Sequence, residues 1–177
     1  MEAEISEICK RARTASREMA PRTREEKDRT LTVLASKIEE RASEILEANA
    51  RDVALAIEKG TSEAMIDRLR LTDSRIKALA ESVREIARLS DPVGTVVSSE
   101  TRPNGLLVSR VRVPLGVIGM IYESRPNVTI DASALSLKSG NAIVLRGGSE
   151  AKHSNALLTQ IVRDALAASG LPADAVQ

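Results

Sequence analysis

The stretch from Val117 to Arg146 constrains the fold more than any other part of the chain. Val117-Ile118-Gly119-Met120-Ile121-Tyr122 is an unbroken apolar run of strand length. Such a run suits a strand buried on both faces of a parallel sheet. Asn127 to Lys138 has helical spacing, and Ser139-Gly140 ends it. Ala142-Ile143-Val144-Leu145 is a second apolar strand. Strand, helix and strand within about 30 residues is the size of one βαβ unit. Gly147-Gly148-Ser149 then leads into a helix with Leu158, Ile161, Val162 and Ala165 on its buried face. Gly170 and Pro172 close that helix, and Ala175-Val176-Gln177 reads as the first step of a third strand. Two parallel strands with two helices cannot cover both sheet faces, and doubly wound folds carry more strands. The expectation is a front segment of a larger α/β protein.

Upstream, residues 1–92 read as helices. Glu2 to Met19 sets Ile5, Ile8, Cys9, Ala12 and Ala15 at helical spacing, and Pro21 stops it. Thr23-Arg24-Glu25-Glu26 is a capping box. The helix it opens is expected to bury Leu31, Leu34, Ile38, Ile45 and Leu46, with Asn49 either a break or part of a longer helix. Gly60 supplies a left-handed stop after Lys59. Ser62 caps a short helix to Leu69, and Thr72 caps another that buries Ile76, Leu79, Ala80, Val83, Ile86 and Ala87. After Asp91-Pro92 the pattern changes. Val93 to Glu100 and Leu106 to Val113 flank an Arg102-Pro103-Asn104-Gly105 turn, a hairpin expected to have two unlike faces.

Composition narrows the function classes. There are 26 Lys and Arg against 25 Asp and Glu, for a net charge of +1. A nucleic-acid protein normally shows a clear basic excess. Trp and Phe are missing and Tyr122 is the only tyrosine, so a base-stacking platform is not expected. No run approaches the roughly 18 apolar residues of a membrane span. Met1 to Lys10 lacks the basic and apolar regions of a secretory signal. With Cys9 the only cysteine, a reduced, cytoplasmic setting is the simplest expectation.

In open α/β sheets, ligands bind outside the carboxyl ends of the strands. Tyr122-Glu123-Ser124-Arg125-Pro126-Asn127 lies at the first such end, where the next helix presents its N-terminal amides. A plain ion pair between Glu123 and Arg125 explains those two residues equally well. Arg146-Gly147-Gly148-Ser149 lies at the second end. In a dinucleotide fold that position meets the adenosine ribose, and a basic residue there favours a 2′-phosphate, hence NADP over NAD. The two glycines would let backbone approach a ligand closely. The G-x-G-x-x-G fingerprint is missing after the first strand. Cys9 reads as a small buried hydrophobe. His153 reads as a surface or cofactor-adjacent residue. With one histidine and no C-x-x-C or H-x-x-x-H spacing, no metal site is expected.

Several motifs resemble one family. Val113-Pro114-Leu115-Gly116-Val117-Ile118-Gly119, Ile121-Tyr122-Glu123-Ser124-Arg125-Pro126-Asn127-Val128, Lys138-Ser139-Gly140-Asn141-Ala142 and Leu145-Arg146-Gly147-Gly148-Ser149-Glu150 are similar to the γ-glutamyl phosphate reductases of the aldehyde dehydrogenase superfamily. So are Asn49-Ala50-Arg51-Asp52-Val53, the run from Ser62 to Leu69, and Gly170-Leu171-Pro172. The resemblance covers essentially the whole chain. It refines the fold class to α/β, with N-terminal helices and a β-hairpin arm leading into the first strands of a Rossmann-like parallel sheet, incomplete at the C-terminus. The implied division is 1–92 helical, 93–113 an oligomerisation arm and 114–177 the first part of an NADP-binding domain, with no catalytic domain.

The resemblance implies NADPH-dependent reduction of γ-glutamyl 5-phosphate to glutamate 5-semialdehyde with phosphate release, the second step of proline biosynthesis. The family's thiolate nucleophile would lie beyond position 177, so no catalytic residue is expected in this chain, which would be inactive alone. Carried over residue by residue, the cofactor would meet Ile121, Tyr122, Glu123, Ser124, Arg146, Gly147, Gly148 and Ser149. Ser124 takes the place of the relatives' oxyanion-stabilising Asn, and Ser149 that of an acidic ribose-binding residue. Arg125 and Asn127 are the substrate-binding candidates, a guanidinium fork suiting a carboxylate or a phosphate. The implied partners are the small-molecule substrate, further copies of the chain in a homo-oligomer, and glutamate 5-kinase. The competing reading is a non-catalytic assembly or cofactor-binding module derived from an aldehyde dehydrogenase.

Overall fold

The computed structural model describes residues 2–177. Five helices come first: α1 (Glu2–Met19), α2 (Arg24–Glu40), α3 (Ala42–Glu58), α4 (Glu63–Leu69) and α5 (Asp73–Arg88). The hairpin β1 (Val96–Thr101) and β2 (Leu107–Val111) follows. Then come β3 (Val117–Ile121), α6 (Pro126–Lys138), β4 (Ala142–Arg146) and α7 (Lys152–Ala168). None of these helices is long and apolar enough to cross a membrane.

Local chemistry sets most boundaries. Thr23 and Glu26 form the expected capping box at α2, and the Thr72 hydroxyl accepts from Arg75 N at α5. Gly60 takes a φ of 70° just past α3, a conformation that a side chain would resist. The helix breaks at Arg41, and Asn49 is buried in the middle of α3.

β3 and β4 pair in parallel from Val117 opposite Ala142 to Ile121 opposite Arg146. Val176 bridges Ile143 in parallel on the far side of β4, so the third strand begins where the sequence places it. Arg163 holds that end by donating to the Val176 carbonyl at 2.8 Å. The sheet and the helices share one hydrophobic cluster, from Ala12, Leu31 and Ile38 through Ile76 and Val83 to Ile143 and Leu158.

Two buried lysines cross that cluster. Lys27 on α2 meets Asp91 at 2.6 Å, and Lys138 at the end of α6 meets Asp28 and donates to the Ala87 carbonyl at 2.8 Å. These ties link α2, the segment after α5, and α6. Each ammonium is almost wholly buried, so each requires its carboxylate.

Three expectations are corrected. β3 is not buried on both faces: its residues alternate between exposed and half-buried, and Ile121 is 86% exposed. Among the described residues its strand neighbour is β4 alone, which leaves its other edge and much of its surface uncovered here. Cys9 and Ile5 are exposed because only the second half of α1, from Ala12 to Met19, packs on the body. The hairpin has no buried face; Val96, Val97, Leu107, Val108 and Val111 all face solvent.

Candidate functional site

The loops after β3 and β4 lie side by side because the parallel register carries both strands to the same edge. Tyr122 N donates to the Arg146 carbonyl at 3.1 Å, one step past the last paired residues. Ser124 Oγ then donates to Glu150 Oε2 at 2.6 Å, joining the two loops directly. That hydrogen bond, with help from the Glu150 amide, holds the Glu150 carboxyl below its usual range. Behind it, the Tyr122 phenol meets Thr129 Oγ1 at 2.7 Å, and Thr129 donates to Asn155 Oδ1 at 3.0 Å. Burial pushes the Tyr122 phenol up, and the Thr129 hydrogen bond partly offsets this.

The close packing explains both glycines. A Cβ on Gly147 would lie 2.3 Å from Asn155 Nδ2 and 2.9 Å from Tyr122 Oη. A Cβ on Gly148 would lie 2.3 Å from Ser124 Oγ. Sequence reasoning reserved these positions for ligand approach; the groups that approach are side chains of the protein.

Two clefts open beside the loops. The larger, about 510 Å³, is lined by Arg68, Arg70, Arg75, Arg125, Asn127 and Asp131 among others. The second, about 370 Å³, lies between Arg68 and Arg125 and takes in Glu123, Ser124, Gly148 and Glu150. Both volumes fall within the usual range for small-molecule sites. Arg125 caps the start of α6 by position but not by a side-chain hydrogen bond, so it faces both clefts with its donors free for other partners.

The arginines are not equally committed. Arg75 reaches Asp67 Oδ1 at 3.0 Å and the Arg70 carbonyl at 2.7 Å. Arg68 lies 3.6 Å from Glu123, and Arg125 lies 4.0 Å from the same carboxylate. The expected Glu123–Arg125 pair is therefore long and shared with a third residue. Asp131 accepts from Ser82 and Asn127, while burial pushes its carboxyl up against both hydrogen bonds.

A buried polar clamp sets this geometry. Asn49 on α3 donates to the Leu69 carbonyl at 2.9 Å and accepts from Leu71 N at 2.7 Å, gripping the backbone on both sides of Arg70. It also donates to Ser154 Oγ at 3.1 Å. One turn on, Asp52 accepts from the Ser154 amide and hydroxyl, each at 2.7 Å, and from the His153 amide at 3.0 Å. His153 Nδ1 lies 2.7 Å from the same carboxylate, so this histidine belongs to the clamp at the start of α7.

Of the residues expected from sequence, Glu123, Ser124 and Gly148 meet in the smaller cleft, and Arg125 and Asn127 in the larger. Ile121, Tyr122, Arg146, Gly147 and Ser149 line neither. Arg146 is exposed at the end of β4 and donates to the Gly147 carbonyl at 3.2 Å. Ser149 donates to Glu150 Oε1 at 3.3 Å. Sequence reasoning gave no role to Arg68, Arg70, Arg75, Ser82 or Asp131. The one available signal was the density of arginines at 68, 70 and 75 around a short helix.

The chain belongs to the aldehyde dehydrogenase family, whose model matches residues 1–177. Within that class it is similar to a γ-glutamyl phosphate reductase of Thermobifida fusca (strain YX), at 56% identity over 177 residues, covering 100% of this chain and 42% of the relative. A second γ-glutamyl phosphate reductase, from Sorangium cellulosum (strain So ce56), is 57% identical over 182 residues, covering 100% of this chain and 43% of the relative. The crystal structure of γ-glutamyl phosphate reductase from Thermotoga maritima superposes with a TM-score of 0.95 at 45% identity, over 98% of this chain and 42% of that one. The Saccharomyces cerevisiae enzyme gives 0.92 at 34% identity, over 97% and 45%. The chain thus spans less than half the length of these relatives.

Proposed function

We propose that the protein acts in NADPH-dependent reduction of γ-glutamyl 5-phosphate to glutamate 5-semialdehyde, with release of phosphate, the second step of proline biosynthesis. The observation that carries this reading is the pair of clefts joined through Arg68 and Arg125 at the carboxyl ends of β3 and β4. One is lined by several arginines and suits a small substrate that carries a carboxylate. The other is walled by the two strand-end loops where an α/β sheet receives a nucleotide. The similarity to named γ-glutamyl phosphate reductases over the whole chain supports the same substrate.

The residues present fit a phosphorylated dinucleotide. Arg146 stands exposed at the end of the second strand with no carboxylate partner among the described residues, so its guanidinium is available to a 2′-phosphate. Glu123, Ser124, Gly147, Gly148 and Ser149 would form the loop walls, and Ile121 and Tyr122 the strand end beneath them. NADPH, when bound, supplies the hydride. The chain's own part is to orient: Ser124 and Glu150 fix the loops, and Arg125 and Asn127 hold the substrate's charged groups.

Residues 1–92 in this reading frame the substrate cleft, 93–113 form an assembly arm and 114–177 open the NADP-binding domain. The exposed apolar hairpin supports a homo-oligomer. A cytoplasmic setting and handover from glutamate 5-kinase, which makes a labile acyl phosphate, belong to the same proposal.

The test is phosphate-dependent NADP reduction with glutamate 5-semialdehyde. The protein expressed from its complete reading frame should turn over. The 177-residue chain should not, because its one thiol, Cys9, is exposed on α1 and lines neither cleft. No phosphate-dependent turnover by the complete protein would overturn the proposal. Turnover by the chain that vanishes in Cys9→Ala would overturn its assignment as inactive.

A further inference from the structure

The larger cleft contains a carboxylate that no cation among the described residues answers. Asp131 is half-buried on the second turn of α6. Ser82 Oγ reaches its Oδ1 at 3.3 Å, and Asn127 Nδ2 reaches its Oδ2 at 3.2 Å. Both partners are neutral. No lysine or arginine pairs with Asp131 among the described residues, although four arginines line the same cleft. A half-buried carboxylate without a cation is unfavourable, and burial accordingly pushes this carboxyl up.

The arginines that could have answered it are turned elsewhere or held for something else. Arg75 is spent on Asp67 and on the backbone. Arg68 leans toward Glu123. Arg70 pairs with no carboxylate among the described residues, and Arg125 reaches Glu123 only at 4.0 Å. One cleft of about 510 Å³ therefore offers an unanswered anion together with two cations that have spare donors. A simple anion would satisfy the arginines and be repelled by Asp131. A simple cation would do the reverse. The ligand that satisfies both is a zwitterion.

We propose that Asp131 takes the α-ammonium of an α-amino-acid head, with Arg70 and Arg125 taking its α-carboxylate. Ser82 and Asn127 position the Asp131 carboxylate for that contact. The γ-acyl end of the glutamyl group then extends toward the neighbouring cleft, which shares Arg125. Asp131 thereby selects an amino acid over the corresponding deaminated dicarboxylate, which would leave the Asp131 carboxylate without a cation. The identity of the side chain behind the head rests on the reductase reading; the head itself rests on the charges of the cleft.

The experiment is a calorimetric titration of the chain with three probes: L-glutamate, glutarate, which lacks the ammonium, and 4-aminobutyrate, which lacks the α-carboxylate. L-glutamate should bind best. Asp131→Asn should weaken L-glutamate by about ten- to a hundredfold and leave glutarate unchanged or tighter. Arg125→Gln should weaken L-glutamate and glutarate together and spare 4-aminobutyrate. Ser82→Ala removes the contact to Asp131 together with a hydrogen bond to the Leu79 carbonyl within α5; it should weaken L-glutamate severalfold without touching glutarate, which keeps the proposal testable if Asp131→Asn does not fold by circular dichroism. Equal binding of L-glutamate and glutarate, no L-glutamate binding at millimolar concentration, or an Asp131→Asn protein with unchanged preference would overturn it. Zwitterion selectivity without any phosphate-dependent turnover by the complete protein would sink the reductase reading alone. Turnover of 5-oxopentanoate as fast as of glutamate 5-semialdehyde would sink the Asp131 assignment alone.

Discussion

The Ser124 hydroxyl donates to the Glu150 carboxylate at 2.6 Å, and this one contact closes the β3–α6 loop onto the β4–α7 loop. It has a consequence for Ser124. Its hydroxyl hydrogen is committed to Glu150, so in this geometry it has no hydrogen to offer a second acceptor. It also makes Gly148 a packing requirement, since a Cβ there would sit 2.3 Å from Ser124 Oγ and 3.1 Å from Ser124 N.

Gly148→Ala should therefore destabilise the chain by about 1–3 kcal/mol, the usual range for overpacking. The clashing oxygen belongs to a short side chain, so removing it should relieve most of the strain. Ser124→Gly combined with Gly148→Ala should recover part of the melting temperature, measured by thermal denaturation of the single and double variants. Strictly additive losses would show that the clash is with backbone instead.

Asn49 should be the most sensitive polar residue of the helical part. It is buried, and it makes hydrogen bonds to Leu69, Leu71 and Ser154 at once. Asn49→Leu leaves those three groups without it, at about 1–3 kcal/mol for each that stays unsatisfied. Because two of them flank Arg70, proteolysis near Arg70 should accelerate in Asn49→Leu more than cleavage elsewhere. Uniform acceleration along the chain would mean global destabilisation without a local hold on the cleft.

How much of this was legible beforehand follows from the range of each interaction. The caps at Thr23 and Thr72 and the stop at Gly60 depend on residues within one turn, so the sequence displays them. The β3–α6–β4 unit announces itself by apolar runs and length. The break at Arg41 carries neither Gly nor Pro and is invisible to local rules. The Asn49 clamp spans 105 residues to Ser154, and Asp52 spans 102 to the same serine, so only the fold brings them together. The same holds for the cleft: Arg70 and Asp131 line it together although 61 residues apart, and Ser82 joins Asp131 across 49 residues through the packing of α5 on α6. Apolar content misled at β3 and Cys9, because a hydrophobic sequence does not say whether another element covers it.

Acid should weaken the chain through Asp91. Burial raises this carboxyl, but the Lys27 ammonium, the Val93 amide and the Lys138 charge outweigh it and hold it below its ordinary value of 3.8. A carboxyl depressed in the folded state contributes stability above its unfolded pKa and loses it as pH falls through the folded one. Asp91→Asn strands the buried Lys27 ammonium and should cost about 3–5 kcal/mol at neutral pH. The gap between wild type and variant should narrow once the pH drops below about 3.8. Lys27→Met with Asp91→Asn should regain much of the loss. A gap independent of pH in urea titrations would rule out the ion pair as its source.

Cofactor preference should depend on Arg146. Its guanidinium is exposed at the end of β4 and touches only the Gly147 carbonyl, so removing it leaves no buried group unsatisfied and should change stability by less than about 0.5 kcal/mol. A charge-assisted contact to a 2′-phosphate is worth roughly 1.5–3 kcal/mol. Arg146→Ala in the complete protein should thus weaken NADPH by about ten- to a hundredfold. NADH lacks that phosphate and should be affected much less. Paired cofactor titrations on wild type and variant make the measurement. Added salt should narrow the NADPH difference, since the screening length for exposed charges shrinks from about 10 Å at 0.1 M ionic strength to about 3 Å at 1 M, the scale of a direct contact. If NADPH and NADH weaken equally, Arg146 contacts a group common to both, and the preference for the phosphorylated cofactor must come from another residue.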